Sequence, residues 1–467
     1  MRKEIFIILY CLLLSFCQKS PLEKAQKNDS VRLLFLYVSS LTSQSAVITF
    51  SCSESVTGIV GYGIGSIQKY QASLSPSKIH SISLAGLTSD QKYTYAVFCG
   101  SVSPKTVFPQ SFSTPNPDPL LVIKKRSIWI IGGIGVSGLP VAQVDMYDPA
   151  TNTWYPSVTS LPTPRAFASV TVISGKIYVI GGIKASGTSF SVSNAVEMYD
   201  LDKNAWTSLS SMPNSLTGAL AGKMNNEIYM IGGTTTTDMT TGTILNTVYR
   251  FQPSVGSTGT WTQYTVQGGS LLPRIDMAGC GNDGTIYMTG GRLYSSGAEQ
   301  SSSDAFIPGA NTTTSLIEAS LNGARHGSAS SCYRPLPSDP YPADSPALLV
   351  FGGSTATNVF IPASSITPSA LYDYYPVGGT TNAMTAGPVL PTALYWPASE
   401  IYYSQRKAYL FGGASAINNP VQTVYSIDLA NPAAGPWTNL GNTMPSARYG
   451  HKAAGVDRRE WSSGIRV

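Results

Sequence analysis

Few side chains in this sequence have the types and spacing that binding or catalysis needs. The clearest are four arginines that each open a short strand-like segment: Arg165, Arg274, Arg325 and Arg448. A guanidinium group offers a planar fork of N–H donors that matches a carboxylate or an anionic sugar. These arginines are therefore candidate ligand-binding residues.

Catalytic and metal-binding patterns are sparse. The chain has three histidines, and His326 and His451 directly follow Arg325 and Arg448. There is no C-x-x-C pair, nucleophile motif or phosphate-binding loop, and Gly132-Gly133-Ile134-Gly135 follows a strand-like run but opens no helix. We therefore predict no catalytic residues, no metal site and no cofactor.

The six cysteines fit export to an oxidising compartment. Cys11 lies in the apolar leader and Cys17 directly follows it, which leaves an even number for the rest of the chain. An even remainder permits two disulfides. Cys52 and Cys99 end two alternating runs, so they form either a disulfide between two sheets or a pair of buried thiols.

The N-terminus has the pattern of a signal peptide. Arg2 and Lys3 precede an apolar run from Ile5 to Phe16, which is shorter than the roughly 20 residues that span a bilayer. Leu14-Ser15-Phe16-Cys17 resembles a bacterial lipobox, with Phe16 where that pattern prefers a small residue. The resemblance implies a signal peptide at 1–16, lipid attachment at Cys17 and a polar linker at 17–30. The alternative is plain secretion with Cys17 incidental.

Composition narrows the class of protein. Of 467 residues, 42% are hydrophobic and 12% charged, with 44 glycines and 31 prolines. This content excludes a disordered chain, which is rich in charge, and a long-helix protein, which glycine and proline would interrupt. The formal charge is +5 without a Lys/Arg run, so we predict no nucleic-acid partner. The class of protein that remains is a fold of short strands joined by turns.

The sequence pattern of residues 31–115 is typical of a small β-sandwich. Ala46, Ile48, Phe50 and Cys52 alternate with polar or β-branched residues, which indicates a strand with one buried face. The segment from Leu87 to Tyr93 resembles the tyrosine corner of fibronectin type III domains. The resemblance implies a sandwich of that type.

The rest of the chain, 120–467, is one repeat used six times. A pair of glycines recurs at intervals of 49 to 62 residues: Gly132 and Gly133, Gly181 and Gly182, Gly232 and Gly233, Gly290 and Gly291, Gly352 and Gly353, and Gly412 and Gly413. Five of the six pairs follow a compact apolar run, and the fourth pair follows Ile286-Tyr287-Met288-Thr289. Continuous apolarity indicates strands covered on both faces. Spaced aromatic residues follow the glycines in four repeats: Tyr147 and Trp154, Tyr199 and Trp206, Tyr249 and Trp261, and Tyr425 and Trp437.

This unit resembles the kelch repeat, in which paired glycines precede a spaced Tyr and Trp. The resemblance implies an all-β fold: a six-bladed kelch-type β-propeller after the fibronectin-like sandwich. The fourth and fifth repeats lack the Trp, which leaves their outer strands in question. Strand counting indicates that Tyr449–Val456 completes the first blade, and a truncated seventh blade is the alternative.

In such a propeller the four arginines would form a ring near one mouth of the channel. They would grip an anionic ligand or, as in many kelch repeats, anchor backbone carbonyls between blades. Cys280 and Cys332 would lie in successive inner strands, as a disulfide or as two thiols.

Taken together, the sequence predicts a monomeric binding protein. It would be exported to the bacterial cell envelope and held at the outer membrane or cell surface by its lipid alone, or else be secreted or periplasmic. Its protein or glycan ligand would bind the loops or the channel mouth, and four polar insertions suit such contacts: Thr234–Thr243, Ser295–Asn311, Tyr333–Pro346 and Gly352–Thr367. The alternatives are a carbohydrate-active kelch enzyme, of the copper-radical sugar oxidase or sialic-acid mutarotase type, and a purely structural envelope component.

Overall fold

The chain divides into two compact units, Met1–Leu121 and Val122–Val467. The computed structural model describes residues 31–101, 109–115, 118, 120–187, 189–238, 246–264, 266, 272–282, 284–293, 297–308, 310, 312–315, 320–333, 347–355, 360, 366–376 and 384–456. Cys17 and the leader lie outside these residues, as do large parts of the four insertions. Strands dominate both units.

The first unit is a sandwich of two antiparallel sheets. One sheet has the order Leu33–Leu41, Ser45–Val56, Ser77–Ala85, and the other has the order Lys69–Ala72, Gly58–Ile64, Lys92–Cys99, Gln110–Ser113. Alternate residues such as Ile48 and Phe50 are buried between the sheets, as period-two patterning requires. A disulfide between Cys52 and Cys99 joins the two sheets, and the Tyr93 hydroxyl accepts the N–H of Thr88 at 2.8 Å.

The described part of the second unit contains six four-stranded antiparallel sheets. Numbered along the chain and given from the inner strand outward, they are sheet 1 (Lys452–Gly455, Ile128–Ile131, Gln143–Asp148, Thr153–Ser160), sheet 2 (Ser169–Ile173, Lys176–Ile180, Val196–Asp200, Ala205–Ser208), sheet 3 (Leu220–Met224, Glu227–Ile231, Val248–Gln252, Thr260–Tyr264), sheet 4 (Ala278–Asn282, Thr285–Thr289, Ser303–Ile307, Thr312–Ser315), sheet 5 (Ala329–Tyr333, Ala347–Phe351, Tyr372–Pro376, Thr385–Ala386) and sheet 6 (Ala398–Tyr402, Lys407–Phe411, Val424–Asp428, Thr438–Asn439).

Short elements complete the second unit. Four two-stranded ribbons pair Ile134–Gly135 with Arg448–Tyr449, Ile183–Ser186 with Ser189–Val192, Arg274–Ile275 with Arg292–Leu293, and Ala414–Ala416 with Asn419–Pro420. The helix Leu121–Arg126 precedes sheet 1, and a 3-10 turn covers Tyr403–Gln405.

The six inner strands contact one another in a closed circuit. Each inner strand contacts the inner strand of the next sheet. The circuit closes because the inner strand of sheet 1 contacts those of both sheet 6 and sheet 2. Sheet 1 takes its inner strand, Lys452–Gly455, from the far end of the chain, where it pairs antiparallel with Ile128–Ile131. Sheets 4 and 5 do have fourth strands, although their repeats lack the Trp.

The paired glycines are sites of close approach between neighbouring sheets. At Gly181 (φ +63°) an added Cβ would lie 2.3 Å from the carbonyl oxygen of Leu216, and the N–H of Gly182 donates to that same oxygen at 2.8 Å. The other five pairs repeat this contact with the carbonyls of Arg165, Arg274, Arg325, Leu394 and Arg448. A side chain is excluded both by the left-handed backbone and by the carbonyl.

The repeat tryptophans join the outer parts of the sheets. The ring of Trp206 packs on Tyr199 with ring centroids 5.1 Å apart, and its Nε1–H donates to the Thr159 hydroxyl of sheet 1 at 2.9 Å. The others donate in the same way to the outer segment of the preceding sheet: Trp154 to Asn442, Trp261 to Ser210 and Trp437 to Pro388. Each tryptophan therefore packs between neighbouring sheets.

We expect Gly181→Ala to destabilise the second unit much more than Gly175→Ala does. Both glycines have positive φ, but an added Cβ at Gly175 meets nothing within 4 Å. Left-handed strain alone costs about 1–2 kcal/mol, and the clash with the Leu216 carbonyl adds to it in Gly181→Ala only. Denaturant unfolding of both variants measures the difference, and equal losses of unfolding free energy would contradict the close-approach argument.

Candidate functional site

One end of the circuit of inner strands is closed by a ring of backbone hydrogen bonds. The ring, here called the mouth ring, consists of six residues that each precede an inner strand and have φ between 45° and 65°: Phe167, Gly218, Asp276, Gly327, Trp396 and Gly450. Five N–H groups donate around it, from Phe167 to Gly450, Gly450 to Trp396, Trp396 to Gly327, Gly327 to Asp276 and Asp276 to Gly218, at 2.7 to 3.1 Å. The Thr217 hydroxyl completes the circle by donating to the Phe167 carbonyl at 3.3 Å.

Aromatic side chains cover the mouth ring. The rings of Phe167, Trp396 and Phe360 are almost fully buried and lie with centroids 4.8 to 5.9 Å apart. We call these three residues the aromatic plug. The glycines of the ring make room for them, because an added Cβ at Gly450 would lie 2.4 Å from the Phe167 ring and one at Gly218 would lie 2.6 Å from Phe360.

Below the plug, the inner strands enclose a channel with about 160 Å³ of free space. Its wall consists mainly of small residues, whose hydroxyls link neighbouring strands. Ser169 donates to the Ala219 carbonyl at 2.7 Å, and Ser331 and Ser399 share a hydrogen bond of 2.9 Å. A disulfide between Cys280 and Cys332 joins the inner strands of sheets 4 and 5 in the same wall.

Two opposite charges lie at the closed end of the channel. Asp276 belongs to the mouth ring, and Lys452 projects from the inner strand of sheet 1 to line the same cavity. The indole Nε1–H of Trp396 donates to Oδ2 of Asp276. Burial raises the pKa of Asp276 to about 6, against opposing effects of Lys452 and the Trp396 hydrogen bond. Burial also lowers the pKa of Lys452, and Asp276 partly offsets that shift.

The four candidate arginines lie beside the mouth ring but are buried. Each side chain is at most 1% exposed and pairs with a carboxylate on the third strand of its own sheet: Arg165 with Glu197, Arg274 with Asp304, Arg325 with Asp373 and Arg448 with Asp145. The pKa of each arginine is lowered from its usual value, because desolvation outweighs the opposing effect of the adjacent carboxylate.

The same guanidinium groups also hold backbone carbonyls. Arg165 Nη1 donates to Gly181 at 3.2 Å, and Arg325 Nε donates to Gly352 at 2.8 Å. Each arginine therefore clasps the glycine pair of its own sheet with its side chain, while its backbone carbonyl receives the N–H of the preceding pair. An external anion could bind these arginines only by displacing a buried carboxylate. The contacts therefore favour the hypothesis that the arginines anchor backbone carbonyls over the hypothesis that they bind an anionic ligand.

His326 and His451 are buried in the same region. Burial and the charge of Arg292 lower the pKa of His326 to about 3. Burial, followed by the charge of Arg448, lowers that of His451 well below its usual value. Both imidazoles are therefore neutral near pH 7. Within the described residues, no group of three His, Cys, Asp or Glu side chains is placed to hold a metal ion.

Sequence reasoning located the glycine pairs, the repeat aromatics, the arginines and both cysteine pairs, but it did not single out Asp276, Lys452 or Phe360. A signal was present for Asp276. In each repeat, one arginine or leucine accepts the N–H of a glycine pair through its backbone carbonyl. Two residues after it, three repeats have Gly, and the others have Phe167, Asp276 and Trp396. A carboxylate at a position otherwise occupied by glycine or an aromatic residue indicates a role specific to that repeat.

Comparison with known proteins supports this repeat assignment. Residues 88–291 match the family model described as the KLHDC2/KLHL20/DRC7 Kelch-repeats domain. The chain is 28% identical over 153 residues to Kelch-like protein 40 of Xenopus tropicalis, which covers 30% of this chain and 24% of that protein. It is 27% identical over 184 residues to human Kelch-like protein 23, covering 39% and 30%, and 35% identical over 95 residues to beta-scruin of Limulus polyphemus, covering 20% and 10%.

Residues 88–291 are therefore similar to kelch repeats, and the all-β fold is consistent with a β-propeller. The match spans about a quarter of the length of the Kelch-like protein 40 relative. A kelch-repeat domain is consistent with a protein-binding role. Among the residues that the structure describes, there is no helix with the length and apolarity to cross a membrane.

We expect the stability gained by Asp276→Asn to depend on pH. The pKa of Asp276 is raised to about 6 in the folded protein, so its contribution to stability is full below the unfolded value near 4 and is lost as the pH rises to about 6. Asparagine does not titrate. The difference in unfolding free energy, variant minus wild type, should therefore grow by about 2 kcal/mol between pH 4 and pH 7.

Denaturant unfolding at several pH values measures this difference. His451 is present in both proteins, so its own titration cancels in the difference. A difference that is constant with pH would show that Asp276 is not held in a desolvated site.

Proposed function

We propose that this protein is an exported, lipid-anchored binding protein whose kelch repeats form a six-bladed β-propeller that presents a ligand-binding rim. The fibronectin type III-like sandwich, residues 31–115, would link the propeller to a lipid at Cys17 in the bacterial cell envelope. The ligand would be a protein or a glycan, and the propeller would act as a monomer.

The observation that carries the binding role is the shared exit direction of the loops. Each glycine pair bonds to the next sheet in the same way, so the segments after the pairs all leave beside the mouth ring. We call the described residues of these segments the post-glycine rim: 134–141, 183–187, 189–193, 234–238, 292–293, 297–299, 354–355, 366–368 and 414–421. Three of the four polar insertions begin in or beside this rim. Long loops on a rigid scaffold suit recognition.

Two exposed apolar side chains mark one part of the rim. On the hairpin that follows the first glycine pair, Val136 is 81% exposed and Leu139 is 43% exposed. Apolar side chains held at a turn gain free energy when a partner covers them. This hairpin is therefore the first place to test for ligand contact.

The six-bladed assignment and the sandwich type rest on separate features. Six four-stranded sheets with inner strands in a closed circuit support six blades. A three-stranded sheet packed on a four-stranded one, with the Tyr93 hydroxyl bonded to Thr88, supports a fibronectin type III-like sandwich. Two disulfides support an oxidising compartment.

We expect lipid attachment to depend on Cys17. A bacterium expressing the full chain should incorporate labelled palmitate, and Cys17→Ala should abolish the label and release the protein from the membrane fraction. Protease treatment of intact cells then shows whether the propeller faces outward. Equal labelling of the two proteins would overturn the anchoring.

We expect the rim to carry ligand binding. The full chain would be tested against arrays of glycans and of extracellular-matrix proteins, beside the double variant Val136→Asp and Leu139→Asp. Binding should fall by about tenfold or more in the double variant, because two charges replace buried contacts. The matched control is Leu74→Asp, which changes a fully exposed side chain of the sandwich. Equal binding by wild type and double variant would exclude this hairpin as the contact.

A further inference from the structure

The closed end of the channel holds two charges of opposite sign that share one cavity. Asp276 and Lys452 both line it, together with Trp396, His451 and Ser328. This cavity adjoins the wider channel, since both are lined by Ala219, Met277, Ser328, Pro397 and Lys452. The site lies on the inner side of the aromatic plug.

Neither charge is neutralised by a direct ion pair. Across the residues that the structure describes, Lys452 has no carboxylate within 4.0 Å, although it interacts with Asp276 electrostatically. Asp276 receives one neutral donor, the indole N–H of Trp396. Burial disfavours the charged form of both groups, although the Lys452 side chain keeps surface that is accessible to solvent. A charged group held in this way gains from a partner that brings the opposite charge.

The other side chains around the charges limit what can bind. His451 is neutral near pH 7 because burial lowers its pKa. The wall is made of small residues and hydroxyls that already link neighbouring strands. Asp276 lines only the narrow closed end, which has about 20 Å³ of free space, whereas Lys452 also lines the wider channel, which has about 160 Å³. The closed end therefore admits a small group such as an ammonium, and the rest of a small ligand lies in the channel.

A ligand with a single charge would satisfy only one of the two groups. An anion on Lys452 would add negative charge near Asp276, and a cation on Asp276 would add positive charge near Lys452. A ligand with both charges avoids this repulsion. We propose that the closed end of the channel binds a small zwitterion of the free amino acid class, with its ammonium on Asp276 and its carboxylate on Lys452.

The aromatic plug closes the outer end of this site. Trp396 holds Asp276 through its indole N–H and packs against Phe360 and Phe167, so the carboxylate is fixed before a ligand arrives. Because the plug closes one end, the ligand enters from the other. The site does not depend on the lipid anchor.

The test is calorimetric titration of the full chain near neutral pH with glycine and alanine as probes. Acetate and methylammonium are the comparators, since each carries one of the two charges. We expect the amino acids to bind at least about tenfold more tightly than either comparator. Asp276→Asn and Lys452→Met should each weaken that binding by about tenfold or more, because each leaves one ligand charge unpaired.

Lys78→Met, which changes an exposed lysine of the sandwich, is the matched control and should leave the affinity unchanged. Circular dichroism melts establish that each variant is folded, and Asp276→Asn is expected to stabilise the protein. Three results would overturn the proposal: no heat from either amino acid, equal binding of acetate, or amino acid binding that survives both channel variants.

Discussion

The second unit depends on one backbone contact, made six times. The N–H of the second glycine in each pair donates to a carbonyl at the head of the next sheet, and the first glycine leaves room for that carbonyl. This contact brings consecutive sheets together near the axis. It also directs the chain past the mouth ring and sends the following loop outward on one side. The inner circuit, the plug and the rim all follow from this geometry, while the tryptophans join the same sheets at the periphery.

The buried arginines add specificity to this contact. A side chain that reaches its own glycine pair and a carboxylate two strands away fixes the position of the inner strand relative to the rest of its sheet. Desolvation offsets much of the electrostatic gain of such a pair, so we assign to the arginines a role in alignment more than in net stability. Leu216 and Leu394 occupy the same position in sheets 3 and 6, where the backbone carbonyl alone makes the contact. The contact is therefore required in every sheet, and the ion pair is not.

Sequence reasoning reached the repeat because its signals are local. Paired glycines, apolar runs and the Tyr–Trp spacing lie within one sheet each and can be read along the chain. The closed end of the channel is different, because Asp276, Trp396 and Lys452 come from three different sheets and meet only when the circuit is complete. Phe360 is less predictable still, since it lies in a polar insertion whose composition indicates a loop. For the arginines, the types and spacing allowed both ligand binding and anchoring, and burial was the missing observation.

The origin of one inner strand has a consequence for synthesis. Ile128–Ile131 emerges early, but its partner Lys452–Gly455 comes more than three hundred residues later. Until then, the first sheet has an open edge with unpaired N–H and C=O groups, which is a template for association with other chains. A chain that terminates early keeps that edge and also lacks Lys452. The strand that closes the first sheet therefore also supplies the lysine of the channel site. A truncated chain lacks that site and keeps an open sheet edge that is prone to aggregate.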